Sequence, residues 1–105
     1  VALARAFLYP ADIILLDEPF NFLDHKLKNS VYELFFNLWN ENKKTVIMVT
    51  HNMDEALLFA DHIYIFSQKP VSLLDEFEIT AARANRLENQ EISKIKNKIN
   101  ELITL

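Results

Sequence analysis

The sequence predicts an α/β fold with a mostly parallel sheet and a C-terminal helix. Two apolar segments, residues 12–17 and 45–50, are separated by an amphipathic pattern with helical spacing over residues 25–41. The run Ile13–Leu16 does not alternate with polar residues, as in parallel strands that are buried on both faces. Strands that alternate with helices along a chain favour βαβ units, in which the strands are parallel.

Prolines set the expected limits of the first elements. A first helix, residues 1–9, is expected to stop at Pro10, since proline does not fit a helix interior. The strand over residues 12–17 is expected to end by Pro19, which has no N–H to donate to a sheet. Both elements therefore have a physical reason to end where the apolar pattern ends.

The second half of the chain is predicted to contain two further strands and two helices. A short helix over residues 52–60 is expected to begin at Asn52, whose side chain suits an N-cap. The strands are predicted over residues 62–66 and 71–79, and the last helix over residues 85–103. The apolar stripe of this last helix consists of Ile92, Ile95, Ile99, Leu102 and Ile103. Such spacing is more typical of a core or a partner contact than of a cofactor site.

Length and composition limit the possible classes of protein. At 105 residues, half of them hydrophobic, the chain is expected to form at most one domain with a modest core. It contains no cysteine, so disulfides and thiolate metal sites are excluded. The formal net charge of −4 argues against a nucleic-acid partner, because nucleic-acid binders present basic surfaces.

Two adjacent carboxylates, Asp17 and Glu18, follow directly from the first strand. Open α/β sheets bind ligands at the carboxyl ends of their strands. One anion would suit a hydrated Mg²⁺, and the other could orient a water or accept a proton. His51 follows the second strand and is expected at the same edge. A solvated acidic turn and a structural histidine are the alternatives for these residues.

The ordered set of these segments resembles the ATP-binding-cassette (ABC) ATPases. Ile13–Glu18 looks like their Walker B strand, and His51 looks like their switch histidine. Asn21–Asp24 looks like their D-loop, although only its last two residues match the common form Ser-Ala-Leu-Asp. Val1–Ala6 looks like the helix that follows the signature motif of the family. Order and spacing agree over residues 1 to 67.

The resemblance implies a role for each site residue, with ATP and Mg²⁺ as cofactors. Asp17 would hold Mg²⁺, through a water, at the nucleotide phosphates. Glu18 would be the catalytic carboxylate that orients the attacking water, and His51 would contact the γ-phosphate. Asp24 would lie at the interface with a second ATPase domain. It also directly precedes a helix, where aspartate is a preferred N-cap, and both roles can hold together.

The resemblance also implies partners and a cellular location. Phe20 is typical of importers, where Glu-Pro-Phe often replaces Glu-Pro-Thr, and Ile63–Pro70 resembles the nitrate, sulfonate and taurine branch. The implied protein energises import from the cytoplasmic face of the membrane, as a peripheral subunit. Its partners would be a second copy of the ATPase domain, permease subunits and, indirectly, a periplasmic or extracellular substrate-binding protein. The transported substrate is not encoded in these residues.

The sequence contains no glycine, whereas Walker A and the signature motif both need it to approach phosphate closely. The chain is therefore expected to be the C-terminal part of a longer ATPase and to be inactive alone. Residues 1–80 would belong to the ATPase core, a partial P-loop fold, and residues 81–105 to a helical extension. Two alternatives remain open, a soluble ABC ATPase without a transport function and a truncated remnant without activity.

Overall fold

The computed structural model describes residues 2–103, which form two compact units. The first unit runs up to His51, and the second begins at Asn52. The division at residue 80, where strand-like sequence gives way to a helical pattern, stays a prediction.

The first unit is a single βαβ element preceded by a helix. Its elements are α1 (Ala2–Leu8), β1 (Ile13–Asp17), α2 (His25–Glu41) and β2 (Thr45–Val49). The two strands are parallel and in register, with Ile13 opposite Thr45 and Asp17 opposite Val49. The βαβ unit and both strand positions predicted from the sequence are therefore confirmed.

Aromatic rings build the core of the first unit. Phe7, Phe20 and Phe35 are buried, together with Ile14 of β1. The ring of Phe35 packs edge to face against the rings of Phe7 and Phe20. The centroid distances are 5.4 Å to Phe7 and 6.0 Å to Phe20. Such contacts add to the stabilisation that burial of the rings provides. The three rings join α1, the turn after β1 and α2 into one core.

The expectation that the first strand is buried on both faces is wrong. Ile13 and Leu15 of β1 are exposed, the latter to 70%, and so are Ile47 and Val49 of β2. Successive side chains of a strand point to opposite faces of the sheet. In this unit only the face that carries Ile14 is covered, and the other face presents an apolar surface to solvent. We call Ile13, Leu15, Ile47 and Val49 the bare face.

The second unit combines a hairpin of antiparallel strands with helices. Its elements are α3 (Met53–Phe59), β3 (His62–Phe66), β4 (Leu73–Glu78), a 3₁₀ helix (Arg83–Glu88) and α4 (Gln90–Ile103). The strands β3 and β4 pair antiparallel, with His62 opposite Glu78. The prediction of a mostly parallel sheet is thus confirmed for β1 and β2 only. The six residues between β3 and β4 are too few for the crossover that a parallel pair needs.

The core of the second unit is aliphatic. It consists of Leu57, Ile63, Ile79, Ile92, Ile95 and Ile99. The predicted stripe of the last helix is confirmed as a core contact at Ile92, Ile95 and Ile99, whereas Ile103 is exposed. No helix within residues 2–103 is both long enough and apolar enough to cross a membrane.

Asparagine caps set the starts of the helices in this unit. The side chain of Asn52 accepts a hydrogen bond from the N–H of Glu55 at 3.1 Å, which confirms the predicted N-cap of α3. The last α-helix begins at Gln90 and not near residue 85. Its start follows from Asn89, whose side-chain oxygen accepts from the N–H of Glu91 at 2.8 Å.

Glu91 anchors the first turn of α4 and predicts an acid-sensitive contribution to stability. One carboxylate oxygen accepts from the Thr80 N–H at 2.8 Å, and the other accepts from the Thr80 hydroxyl at 2.5 Å. The hydroxyl bond, the largest cause, and the backbone bond lower the pKa of Glu91 from its ordinary 4.5. A lowered pKa stabilises the fold above the unfolded value, and this stabilisation is lost as the pH falls through the folded value.

We therefore expect Glu91→Gln to lower the urea midpoint of unfolding near neutral pH and to flatten the decline of that midpoint in acid. Urea unfolding monitored by circular dichroism, in steps from about pH 7 to about pH 3, measures this difference. Glu76→Gln is the matched control, because Glu76 lies exposed on β4. Parallel pH curves for Glu91→Gln and the unchanged chain would contradict the prediction.

Candidate active site

The carboxyl ends of β1 and β2 meet at one edge of the first unit, as the sequence predicted. Asp17 is the last residue of β1 and lies opposite Val49, the last residue of β2. The N–H of Glu18 donates to the carbonyl of Val49 at 2.8 Å, which extends the strand pairing by one hydrogen bond. The two residues after Val49 bring the chain to His51. Asp17, Glu18 and His51 therefore follow directly from paired strand ends.

Glu18 and His51 are in direct contact. One carboxylate oxygen of Glu18, Oε1, accepts a hydrogen bond from the backbone N–H of His51 at 2.8 Å. The imidazole Nε2 of His51 lies 3.5 Å from the same oxygen, beyond ordinary hydrogen-bond distance. The Glu18 side chain is 22% exposed and the imidazole 84% exposed. The carboxylate is thus held in place, and the imidazole beside it remains open to solvent.

The backbone of Glu18 is strained. Its φ of 46° lies in the left-handed region, which costs a residue with a β-carbon about 1–2 kcal/mol. The carbonyl of Glu18 accepts from the N–H of Asn21 at 3.2 Å, in addition to the bonds made by its N–H and its carboxylate. Such strain is typical of functional sites, where surrounding contacts hold it. Here it turns the chain sharply after β1 with the carboxylate fixed against His51.

Asp17 is an exposed carboxylate, a group that a hydrated magnesium ion can use as a ligand. Its side chain is exposed at the carboxyl end of β1. Within residues 2–103, no group of three or more histidine or acidic residues could hold a metal ion by itself. Mg²⁺ often keeps several waters and binds one or two carboxylates together with substrate phosphates. A single exposed carboxylate therefore fits Mg²⁺ bound through water and together with phosphate.

The segment after Glu18 is ordered by turns and ends in a helix cap. The N–H of Leu23 donates to the carbonyl of Phe20 at 3.2 Å. The Asp24 carboxylate accepts from the N–H of Leu27 at 3.0 Å and caps α2. The N-cap role that the sequence offered for Asp24 is present. Its place in an interface with a second domain is not tested by these contacts.

Two aromatic residues of this segment have opposite environments. Phe20 is 1% exposed, with its ring 5.0 Å from that of Tyr32, whereas Phe22 is 97% exposed. In the sequence, Phe20 is recognisable only as a marker of importer-type ATPases. In the structure this ring anchors the turn that begins at Glu18 into the core. The signal that could have found this role is the recurrence of aromatic residues on α1 and α2.

Sequence reasoning also missed the backbone amide of His51, since any residue except proline offers the same donor. His25 and His62, the other two histidines, are exposed and open α2 and β3. The arrangement that remains is a fixed carboxylate, a second carboxylate at the neighbouring position and an exposed imidazole. Such a set can orient a water, accept its proton and donate to a developing anion.

The chain is similar to the ATP-binding subunits of several importers. It is 34% identical over 99 residues to the aliphatic sulfonates import ATP-binding protein of Bacillus anthracis, an alignment that covers 94% of this chain and 39% of that protein. It is 40% identical over 76 residues to the nitrate import ATP-binding protein of Synechococcus elongatus, with 72% and 28% covered.

A third relative is also an import ATP-binding protein. The taurine import ATP-binding protein of Pelagibacter ubique is 35% identical over 82 residues, covering 78% of this chain and 31% of that protein. The chain thus spans about two fifths or less of the length of these relatives. No family model matches the sequence.

Proposed function

This chain belongs to the family of ATP-binding subunits of ABC importers, and on that premise we propose that Asp17, Glu18 and His51 form the hydrolytic part of an ATP site. The observation that carries the proposal is the Glu18 carboxylate bound to the His51 amide at the carboxyl ends of two parallel strands. A structural acidic turn would not need a strained residue fixed at this edge.

Each residue has a separate task in the proposed reaction. Glu18 orients the attacking water and accepts its proton, and the bond from the His51 amide to Oε1 leaves the other carboxylate oxygen for that water. The exposed imidazole of His51 donates to an oxygen of the γ-phosphate as charge develops there. Asp17 would hold Mg²⁺ through a water, and the bound ion would neutralise charge on the phosphate oxygens.

The rest of the ATP site would come from residues outside this sequence. A phosphate cradle needs backbone groups that approach closely, and these 105 residues contain no glycine. We propose that Walker A and the signature motif of a complete ATPase complete the site. A second copy of the domain would contribute across an interface that includes Asp24.

The proposed assembly works at the cytoplasmic face of the membrane as a peripheral subunit. Closure of two ATPase domains on ATP would drive permease subunits, which receive the solute from a periplasmic or extracellular substrate-binding protein. The permease and the binding protein would select that solute. The relatives of this chain are import ATP-binding proteins, which favours this assembly over a soluble ABC ATPase.

Replacement of His51 tests the proposed site. In a complete ATPase that carries these residues, for example a chimera with the Bacillus anthracis relative, His51→Ala is expected to lower kcat for ATP hydrolysis about a hundredfold or more. The reason is the loss of a donor to the γ-phosphate, while the backbone amide that holds Glu18 remains. Steady-state release of phosphate measures the effect.

His25→Ala and His62→Ala are the matched controls, since both side chains are exposed at the start of an element. Each is expected to retain most of the hydrolysis rate. Equal loss of activity in all three variants would show that His51 has no special role.

A further inference from the structure

The carboxyl end of α3 lacks the cap that helices commonly use. The last four carbonyls of a helix have no partner within it, and a glycine after the last turn often helps to satisfy them. This chain has no glycine, and α3 is followed by Ala60 in an extended conformation. The carbonyls of residues 57–60 therefore need donors from elsewhere.

Arg86 provides most of these donors from the 3₁₀ helix. Its Nη1 donates to the carbonyls of Leu57, Leu58 and Ala60, at 3.1, 3.2 and 2.6 Å. Its Nε donates to the carbonyl of Ala81 at 3.1 Å. Arg86 is only 2% exposed, so these carbonyls take the place of water around the guanidinium. The planar fork of arginine suits such multiple bonding.

Arg83 satisfies the remaining carbonyl of the same turn. Its Nε and Nη2 both donate to the carbonyl of Phe59, at 3.1 and 2.9 Å. Its Nη2 also lies 2.9 Å from the carboxylate of Asp61, which is largely exposed. The two arginines thus bond every carbonyl from Leu57 to Ala60. The negative end of the helix dipole favours cations at this place.

The burial of Arg86 has a cost that its partners must offset. Desolvation lowers the pKa of Arg86, and the charge of Arg83 adds to this effect. Asp61 opposes the shift from 3.6 Å, and Glu91 opposes it as well. A guanidinium stays charged in proteins, so its burial is favourable only while carbonyl and carboxylate partners replace the water that it loses. Unfolding of α3 would therefore leave the buried guanidinium of Arg86 without the carbonyls that accept its hydrogen bonds.

Helix α4 holds α3 at two further places. Leu57 of α3 belongs to the same core cluster as Ile95 and Ile99 of α4. At the other end of α3, the carboxylate of Asp54 lies 3.1 Å from Nζ of Lys96. Residues 83–103 thus contact the carboxyl end, the apolar side and the first turn of α3. We call this segment the strap.

We propose that the strap is latched onto α3 by Arg86, and that α3 and the strap open and close as one cooperative unit. A helix of seven residues is too short to be stable in water by itself. Its amides are protected from exchange only while the strap covers it. The strap is therefore part of the fold of the second unit and a place where that unit can be opened.

Hydrogen exchange in the complete 105-residue chain tests this proposal. Amides of α3, including Ala60, and amides of α4 are followed by NMR in a series of low urea concentrations, at a protein concentration at which light scattering shows a monomer. We expect both helices to show one common opening free energy. In Arg86→Met, protection is expected to fall about ten- to hundredfold in α3 and α4 together, because buried carbonyls lose their donors. Arg83→Met is expected to have a smaller effect, since its side chain is 25% exposed.

The matched control is Arg5→Met, which removes an exposed arginine of α1 in the first unit. It is expected to leave protection in α3 and α4 unchanged. Loss of protection in α4 while α3 stays protected would overturn the proposal, as would protection in Arg86→Met within twofold of the unchanged chain. If Arg86→Met does not fold, the proposal is tested by the urea series on the unchanged chain alone. Different opening free energies for α3 and α4 would then contradict it.

Discussion

Glu18→Gln, in a complete ATPase that carries these residues, is expected to lower ATP hydrolysis about 10²- to 10⁴-fold while ATP still binds. Glutamine has nearly the same shape, and its carbonyl oxygen can still accept the hydrogen bond from the His51 amide. It cannot take a proton from water at neutral pH, and its amide group presents donors to the water. The variant thus removes the base and keeps the local structure.

Phosphate release and binding of a fluorescent ATP analogue are measured on the same preparation. Glu33→Gln is the matched control, because Glu33 is an exposed residue of α2 in the same unit. It should change neither quantity. Hydrolysis at the normal rate in Glu18→Gln would show that Glu18 is not the base. Loss of ATP binding together with hydrolysis would show a structural role for the strained residue.

The part of this site that the sequence predicted depends on local patterns. An unbroken apolar run ending in Asp17, and a second strand ending before His51, place both ends at one edge once the strands are parallel. The βαβ order supplies that direction. The proximity of Glu18 and His51 follows from these two facts, whereas the hydrogen bond from the His51 amide to the carboxylate does not.

The features that the sequence did not predict depend on the backbone or on distant contacts. The positive φ of Glu18 has no residue signal, because glycine is the usual mark of such a position. The carbonyls that Arg86 binds at α3 lie 26 to 29 residues away in the chain. From the sequence alone, Arg86 is therefore easily taken for an exposed residue of the segment between β4 and α4.

The burial of the strand side chains is another property that local sequence patterns did not predict. The run Ile13–Leu16 is apolar at every position, yet Ile13 and Leu15 are exposed here. An apolar run identifies strand faces that are stabilised by burial. Whether each face is buried depends on the other elements that pack against it. The bare face is thus the clearest departure from expectation, and it should govern how the chain behaves in solution.

A polypeptide of these 105 residues is expected to self-associate and to unfold with low cooperativity. Leu15 and Ile47 lie opposite each other in the register of β1 and β2, at the centre of the bare face. Among the described residues, each strand of this two-stranded sheet has an unpaired edge. Exposed apolar surface and unpaired strand edges both favour association between chains. Light scattering over a range of concentrations and urea unfolding measure the two effects.

A paired variant, Leu15→Lys with Ile47→Lys, is designed to suppress this association. Both side chains are already exposed, so the change should reduce the molar mass without destroying the core around Phe35. Val71→Lys is the control, since Val71 is an exposed apolar residue of the second unit and its replacement should leave association through the bare face unchanged. A monodisperse monomer with a sharp urea transition in the unchanged chain would instead show that these residues form a self-sufficient domain. The bare face would then have to be accepted as a stable surface, and the interpretation of this chain as part of a larger ATPase core would lose its physical support.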